Sequence, residues 1–334
     1  MKNKLLNSDK IFIAGSSGMV GSAIKRKLIS YDFGIKKNNL NILSPSRKEL
    51  DLLDSLLVKN FFKLEKPQIV ILAAAKVGGI YANSHYPADF LFENLKIQTN
   101  IIESAWTQGV RRLIFLGSSC IYPKFSDQPI KEESLLKSQL EETNAPYAIA
   151  KIAGLKLCES LRKQYGFDAI SLMPTNLYGP NDNYHPQNSH VIAALIRKFL
   201  IASKNNLPSV ECWGSGSAYR EFMHVDDLAD AVLFCLENWD PSDKRSPKDA
   251  LGKPLNHLNI GTGEDISIKE LSKIIAQLTK FKGEIIWDKS KPDGTPKKVL
   301  DVTRINNLGW RANIDLLTGL RRTIEKLNIE SLQC

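Results

Sequence analysis

The sequence predicts an α/β protein with a Rossmann-type, doubly wound parallel sheet and a smaller C-terminal α/β domain. Two observations lead to this fold class. Short apolar runs typical of strands alternate with helical patterns through the first half of the chain. The first of these runs ends in a glycine-rich turn that opens a helix. The 334 residues are enough for about two domains of ordinary size.

The elements of the first half follow from the spacing of apolar residues. Strands are predicted at residues 10–14, 40–43, 68–74, 112–117 and 168–173. Helices are predicted from the glycine turn to residue 28 and at 56–64, 94–106 and 147–165. Strands that are joined in this way by helices form a parallel sheet.

The alternation weakens after residue 174, and residues 178–189 are rich in Asn, Pro and Gly, which is typical of a loop. We therefore expect a dinucleotide-binding domain at residues 1–178, with a return segment at 225–262, and a substrate-binding domain in the remainder of 179–334. A helix at 225–236 and a strand at 255–261 make up the return segment. Residues 266–278 and a helix at 316–327 complete the second domain, and 240–253 form a polar surface excursion.

Composition excludes several classes of protein. The formal charge of +9 is spread along the chain, with no basic stripe or known motif for nucleic acid. The apolar run at residues 69–75 is far shorter than the ~20 residues of a membrane-spanning helix, and we expect a cytoplasmic protein. Five scattered cysteines without a C-x-x-C pair indicate a reducing compartment and no metal site.

The turn after the first strand has glycines at a spacing that suits a dinucleotide. They permit a tight turn, close approach of the backbone to a pyrophosphate, and close packing of the helix, whose N-terminus faces the phosphates. The residues predicted to contact the cofactor are Gly15, Ser16, Ser17, Gly18, Met19, Val20 and Gly21. The spacing differs from G-x-G-x-x-G, and the position of the turn after a first strand supports the nucleotide interpretation over a purely structural turn.

The end of the second predicted strand bears on the choice between NADP and NAD. An acidic residue for the adenosine ribose is usual there, whereas this chain has S-P-S-R at residues 44–47. Arg47 suits a 2'-phosphate, which predicts NADP. The alternative is that Arg47 is an ordinary solvated arginine.

Tyr147 and Lys151 are four residues apart on a predicted helix, so they share a face. A nearby ammonium is expected to lower the pKa of the tyrosine. Together with the preceding glycine turn and the hydroxyl pair at 118–119, this pattern resembles the extended short-chain dehydrogenase/reductases that act on nucleotide sugars. The resemblance implies that Tyr147 exchanges a proton at the reacting carbonyl. It implies that Lys151 also holds the nicotinamide ribose and that Ser118 bonds the carbonyl oxygen.

Longer segments resemble the GDP-L-fucose synthases, in collinear order from about residue 10 to about residue 310. They are G-M-V-G-S-A-I at 18–24, A-A-A-K-V-G-G-I at 73–80, G-S-S-C-I-Y-P at 117–123, P-Y-A-I-A-K at 146–151, residues 173–183, N-S-H-V-I at 188–192, R-E-F-M-H-V-D-D at 220–227 and K-P-D-G-T-P at 291–296. The resemblance implies 3,5-epimerisation and NADPH-dependent 4-reduction of GDP-4-keto-6-deoxy-D-mannose, and a homodimer. Some members have a basic residue where this chain has Ser16-Ser17.

The same resemblance assigns further site residues. Cys120 and His190 are implied as the acid/base pair that inverts C3 and C5, and His190 also as a cofactor contact. Thiols and imidazoles suit this work because neighbouring charge and burial shift their pKa values. The residues implied to bind the nucleotide-sugar are Lys198, Trp213, Arg220 and Asp293.

Three alternatives remain at this stage. Nucleotide-sugar 4,6-dehydratases carry an Asp-Glu pair where this chain has Cys120-Ile121, so the acid and base for removing water would be missing. A simple 4-epimerase would leave Cys120 and His190 unused. A non-catalytic NADP-binding protein would have no need for a complete set of site residues.

Overall fold

The computed structural model describes residues 5–36, 39–291 and 293–327 of the chain. The strands are β1 Ile11–Ala14, β2 Ile35–Lys36, β3 Asn39–Leu40, β4 Ile42–Leu43, β5 Ile69–Leu72, β6 Arg112–Leu116, β7 Ala169–Pro174, β8 Asn176–Tyr178, β9 Ser209–Trp213, β10 Tyr219–His224, β11 His257–Ile260, β12 Asp265–Ser267, β13 Glu284–Asp288 and β14 Lys297–Lys298. The helices are α1 Met19–Ser30, α2 Ser55–Glu65, α3 Ile80–His85, α4 Pro87–Thr107, α5 Ala145–Tyr165, α6 Val191–Lys204, α7 Val225–Asn238, α8 Ile268–Leu278, α9 Thr303–Leu308 and α10 Leu316–Glu325.

A six-stranded sheet in the order β11-β7-β6-β5-β1-β4 forms the centre of the molecule, and all of its pairings are parallel. Every residue of β1 and β5 is buried, as expected for apolar strands covered on both faces. The chain leaves β1 for β4 on one side and later returns to β5 on the other. This reversal is the switch point beside which ligands bind in doubly wound sheets, and the predicted fold class is confirmed.

Helices complete this unit by packing in groups. Helix α1 packs against α7, and α4 packs against both α5 and α2. The residues of β11 and α7 belong to the same hydrophobic core as β1, so the chain does return to the sheet after residue 224.

A second group of elements has its own core. Strand β10 pairs in parallel with β8 and β14 and antiparallel with β12, while β9 pairs with β13. Helices α6, α8 and α10 contribute apolar residues to this second core. Helix α8 begins with a capping box, in which the Ser267 and Glu270 side chains each bond the other's backbone N–H.

Several elements differ from the sequence-based expectation. The predicted strand at 40–43 is divided, because Leu40 pairs with β2 whereas Ile42 pairs with β1. Helix α4 begins at Pro87 rather than at residue 94, since a proline is tolerated in the first turn, where its N–H would lack a helical partner. Helix α6 was not predicted, although its apolar face is buried in the second core.

Four of the five cysteines lie in the described part of the chain. Cys120, Cys158, Cys212 and Cys235 form no disulfide among the described residues, and Cys334 lies outside those residues. Within the described ranges, none of the helices is both long and apolar enough to cross a membrane.

Candidate active site

The glycine turn between β1 and α1 forms a backbone cradle at the carboxyl edge of the sheet, and residues 15–21 all lie in it or in the first turn of α1. A Cβ atom at Gly21 would lie 2.1 Å from the Gly15 carbonyl oxygen, so only glycine allows this approach of helix to turn. Gly18 is the N-cap of α1, and no side chain caps the helix there. Uncapped N–H groups at a helix N-terminus favour a phosphate, so the cradle fits a dinucleotide pyrophosphate.

Two cationic side chains stand at the end of β4. Arg47 is exposed, and Lys25 on α1 donates from Nζ to the Ser44 hydroxyl at 2.7 Å. In this fold the adenosine ribose of a dinucleotide lies at this strand end. We missed Lys25 because it is an ordinary mid-helix lysine in the sequence, and only the packing of α1 beside β4 brings it to this place.

The segment after β6 forms a 3₁₀ turn, residues Ser119–Ile121, that presents alternate side chains to the cleft. The Ser118 hydroxyl accepts from the Cys120 N–H at 3.2 Å and so caps the turn. Ser119 and Ile121 point into the core and are buried, whereas Ser118 and Cys120 are half-buried. The turn therefore separates two structural residues from two residues available to a ligand.

Tyr147 and Lys151 lie on α5 beside this turn. The Lys151 ammonium is buried and donates from Nζ to the Leu116 carbonyl at 2.8 Å. Burial lowers the pKa of Lys151 to about 8. Tyr147 is half-buried as a whole, but protein atoms surround its hydroxyl end.

The expected effect of Lys151 on Tyr147 was wrong. Burial raises the pKa of Tyr147 well above its ordinary value, a charge on Cys120 would raise it further, and a hydrogen bond from Ser118 only partly opposes these effects. Lys151 contributes no lowering, because its ammonium is directed to the Leu116 carbonyl and lies 5.9 Å from the Tyr147 ring centroid. The phenol is therefore protonated at neutral pH.

His190 is the N-cap residue of α6 and follows the predicted loop. The residue is exposed at the surface, and partial desolvation by the surrounding protein lowers the pKa of its imidazole. The preceding residue packs closely on the loop after β5, since a Cβ at Gly79 would lie 2.5 Å from the Ser189 carbonyl oxygen. The Gly79 N–H also donates to the Asn188 carbonyl at 3.1 Å. These contacts hold His190 against the first unit.

Trp213 ends strand β9 and is 47% exposed, which rules out a core role. The Lys198 and Lys291 ammonium groups lie 5.8 and 5.7 Å from its ring centroid. Lys198 is held in place by donating to the Glu211 carbonyl at 2.7 Å. An exposed aromatic face with two cations near it is suited to a base next to a diphosphate.

Arg220 on strand β10 and Asp293 in the loop before β14 contact each other in the second unit. Arg220 donates through Nη2 to the Asp293 carbonyl at 3.1 Å, and burial lowers its pKa while charge on Cys120, Asp293 and Glu141 raises it. The Asp293 carboxylate accepts from the Ser215 N–H and hydroxyl, each at 2.8 Å. In this structure Asp293 thus braces the loop, while Arg220 reaches toward Cys120.

Comparison with known proteins relates this arrangement to a family. Residues 11–261 match the NAD dependent epimerase/dehydratase family. A putative GDP-L-fucose synthase 2 of Arabidopsis thaliana is 52% identical over 321 residues, which cover 96% of this chain and 92% of the relative. The GDP-L-fucose synthase of Escherichia coli strain K12 is 50% identical over 328 residues, with 96% and 97% covered. The chain belongs to the GDP-L-fucose synthase family.

A solved structure has the same fold. A GDP-mannoheptose C4 reductase from Campylobacter jejuni, with NADP bound, superposes with a TM-score of 0.85 at 37% identity, covering 96% of this chain and 98% of that one. The family resemblance predicted from the motifs is therefore confirmed, as is the Rossmann-type sheet.

Two of the predicted site residues, Tyr147 and Arg220, lie near the Cys120 thiol. The thiol lies close enough to Tyr147 and to Arg220 that its charge would raise the pKa of each. Strand β14 adds a residue that we did not predict: the Lys298 Nζ lies 3.6 Å from the Cys120 Sγ. No motif signals Lys298 in the sequence, because 178 residues separate it from Cys120.

Proposed function

We propose that the chain converts GDP-4-keto-6-deoxy-D-mannose to GDP-L-fucose by epimerisation at C3 and C5 and then NADPH-dependent reduction at C4. The observation that carries this proposal is the placement of a thiol, a phenol and a serine hydroxyl at one point, between the sheet unit and a cation of the second unit. These groups are Cys120, Tyr147, Ser118 and Arg220. The names of relatives at about half identity over nearly the whole chain support the same reaction.

Epimerisation requires an acid and a base on opposite faces of the sugar. The protons at C3 and C5 are acidic because loss of either leaves charge on the C4 oxygen as an enolate. We assign the two proton transfers to Cys120 and His190. The lowered pKa of His190 keeps its imidazole neutral at pH 7 and able to accept a proton. Ser118 and Tyr147 can donate hydrogen bonds to the enolate oxygen.

Reduction uses a different pair of groups. NADPH supplies the hydride that C4 receives. Tyr147 donates the proton to the C4 oxygen, and its raised pKa ensures that the proton is present at neutral pH. Lys151, with a pKa of about 8, is mostly charged at pH 7 and has N–H donors beyond the one bonded to Leu116. Those donors suit the nicotinamide ribose.

The cofactor is held by the glycine cradle at residues 15–21 and by Lys151, and His190 is proposed as a further contact. Arg47 and Lys25 provide cations for the 2'-phosphate that distinguishes NADP from NAD. Lys25 thus supplies a positive charge in a chain that has Ser16-Ser17 in its glycine turn.

The nucleotide end of the substrate lies against the second unit in this proposal. Trp213 stacks on the base, while Lys198 and Arg220 face the diphosphate. Asp293 is proposed to act on substrate binding indirectly. It positions the loop through its hydrogen bonds with Ser215 and Arg220. The dehydratase alternative finds no support here, because Ile121 is fully buried and carries no acid.

The division into a cofactor domain at 1–178 with the return segment 225–262, and a substrate domain in the remainder of 179–334, is part of this proposal. The two hydrophobic cores support most of this division, but Leu300, Val302, Ile305 and Trp310 of the remainder belong to the first core, and Tyr178 belongs to the second. A cytoplasmic homodimer is also proposed. Free cysteines suit a reducing compartment, and the exposed Phe92 and Ile149 of the paired helices α4 and α5 offer an apolar surface for a second copy. Light scattering of the purified protein tests the dimer.

The reaction is tested by mixing the purified protein, NADPH and GDP-4-keto-6-deoxy-D-mannose and identifying the sugar by NMR. GDP-L-fucose is expected. A product reduced at C4 with unchanged C3 and C5 would contradict epimerisation and leave a keto-sugar reductase.

Epimerisation is isolated by omitting NADPH and working in D₂O. Wild-type protein should introduce deuterium at C3 and C5, and Cys120→Ala should do so ~10² to 10⁴ times more slowly, which is the usual worth of an acid/base group. His190→Asn should exchange protons without inverting the centre if the two groups serve opposite faces. Cys235→Ala, which removes a buried thiol of α7, is the control and should exchange at the wild-type rate. A Cys120→Ala rate equal to wild type would show that the Cys120 thiol is structural.

A further inference from the structure

Strand β14 carries two adjacent lysines with different surroundings. Lys297 is about half exposed, and its Nζ forms an ion pair with Asp265 at 3.1 Å. Lys298 points to the opposite side of the strand, as successive strand residues do, and its Nζ lies 3.6 Å from the Cys120 Sγ. The fold holds β14 firmly, since the Val299 N–H donates to Gln128 at 2.9 Å and the Leu300 N–H to buried Glu221 at 2.8 Å.

The contact with Cys120 is unusual for a lysine. Lys298 is half-buried, and within residues 5–36, 39–291 and 293–327 it forms no ion pair with a carboxylate. A neutral thiol is a weak hydrogen-bond acceptor, and it offers little to an ammonium that has lost part of its hydration. A thiolate at the same place would accept the hydrogen bond strongly and would neutralise the charge.

The other charged groups around Cys120 are consistent with a thiolate. Arg220 is the register partner of Lys298 in the sheet, so a second cation stands beside the first. Lys124 and Glu141 line the same cleft as Cys120, and they are 3.7 Å apart and neutralise each other. The fourth neighbour, Tyr147, is a neutral phenol. The net charge that faces the thiol is therefore positive, and Lys298 is the cation within hydrogen-bond distance.

We propose that Lys298 is a positioning residue that holds Cys120 as a thiolate, the form able to remove a proton from the carbon beside the keto group. This inference rests on the proposed epimerisation. In that step the Cys120 sulfur forms an S–H bond while the C–H bond breaks, and the electron pair of the C–H bond moves into the enolate. Lys298 keeps its own proton throughout.

The test measures the thiol without substrate or cofactor. Wild-type protein, Lys298→Met, Lys298→Arg and the matched control Lys297→Met are treated with iodoacetamide over a range of pH, and alkylation of Cys120 is followed by peptide mass spectrometry. Loss of an adjacent positive charge should move the pH dependence of alkylation upward by ~1 to 3 pH units in Lys298→Met. Lys298→Arg should restore most of the wild-type profile, and Lys297→Met should match wild type.

Identical profiles for Lys298→Met and wild type would overturn the proposal. Thermal unfolding of each variant checks that it is folded, and Lys298→Gln is a second uncharged variant of similar length if Lys298→Met does not fold. If Lys298 instead binds the substrate diphosphate, Lys298→Met should raise the KM for the nucleotide-sugar and leave the alkylation profile unchanged. That combination of results would also contradict the proposal.

A second measurement separates this inference from the proposed function. In D₂O without NADPH, Lys298→Met should exchange substrate protons ~10-fold or more slowly at neutral pH and recover as the pH rises, because the thiolate then forms without help. Absence of exchange in wild-type protein would contradict the proposed function and the use of the thiolate in it. The alkylation profile would still decide whether Lys298 stabilises the thiolate.

Discussion

The two ends of the candidate site differ in burial and in how charge is held. At the reaction end, Lys151 is enclosed by the sheet unit and Tyr147 is surrounded at its hydroxyl, so burial shifts the pKa of both. At the nucleotide end, Trp213 is 47% exposed and has the Lys198 and Lys291 ammonium groups near its ring. Burial prepares groups for proton transfer, whereas exposed cations and an aromatic face provide affinity. Substitutions should therefore affect kcat at the first end and KM at the second.

Cys120 lies where these two ends meet. Its turn belongs to the sheet unit, but two cations beside it, Arg220 and Lys298, come from strands of the second unit. In the proposed mechanism, the acid/base chemistry of epimerisation thus depends on how the two units pack, while reduction depends mainly on the first.

Tyr147→Phe should give the largest effect at the reaction end. Removing the proton donor should lower the rate of NADPH oxidation by ~10² to 10⁴ while leaving NADPH binding largely intact. Fluorescence titration of NADPH and steady-state kinetics measure the two effects. Tyr165→Phe, an exposed tyrosine on the same helix, is the control and should behave as wild type. A Tyr147→Phe variant that keeps more than about half of the wild-type rate would remove Tyr147 from the mechanism.

Lys151→Met should abolish reduction and weaken NADPH binding, and it should also stabilise the protein without cofactor. Burial lowers the pKa of Lys151 from 10.5 to about 8, so the unfolded chain binds more protons between these values. Wild-type stability should therefore rise as the pH increases through this window, and the penalty is fully present at pH 7. Removing the charge should raise the free energy of unfolding at pH 7 by up to ~3 kcal/mol.

Urea unfolding at neutral pH and near pH 10 measures this effect, and the advantage of Lys151→Met should shrink at the higher pH. Lys156→Met, an exposed position on the same helix, should change stability by no more than ~0.5 kcal/mol. Equal stability of Lys151→Met and wild type at pH 7 would show that the buried ammonium is fully compensated by its surroundings.

Arg47→Ala should reduce the preference for NADPH over NADH by roughly ten- to a hundredfold, as one charge-assisted hydrogen bond to the 2'-phosphate is worth ~1.5 to 3 kcal/mol. Lys25→Met should have a smaller effect in the same direction, because its Nζ also bonds Ser44. The measurement is kcat/KM with each cofactor. Arg26→Met, next to Lys25 but paired with Asp226, is the control. Equal kcat/KM values for the two cofactors in wild-type protein would contradict the assignment of Arg47.

Trp213→Leu should give the smallest effect and should sharpen the contrast between the two ends. We expect the KM for the nucleotide-sugar to rise by roughly three- to tenfold with kcat nearly unchanged, since an exposed stacking and cation–π site is worth ~1 kcal/mol. Tyr31→Leu, an exposed ring under Lys27 on α1, is the matched control. A fall in kcat without a change in KM would place Trp213 at the reaction end instead.

Much of the fold was predictable because the first half of the chain has local signals. The apolar β-branched strands, the glycine turn and the helix with Tyr147 and Lys151 each obey short-range rules, and all are present in the structure. The prediction of a single strand at residues 40–43 was wrong because Leu40 pairs with β2 and Ile42 pairs with β1. Which strand each residue pairs with depends on tertiary packing. Helix α6 and strands β9, β10 and β13 were missed because the loops around them obscured their patterns.

The sequence by itself determined the fold class, the glycine turn at residues 15–21 and the family, and it supplied the candidate site residues. These depend on local backbone geometry and on motifs, which a linear order of residues records. Only the tertiary structure decided that burial raises the pKa of Tyr147, that Lys25 stands beside Ser44, and that Lys298 reaches Cys120 from 178 residues away. The reason is that burial and electrostatic neighbours are properties of position in space, and distant parts of the chain acquire them only when they pack together.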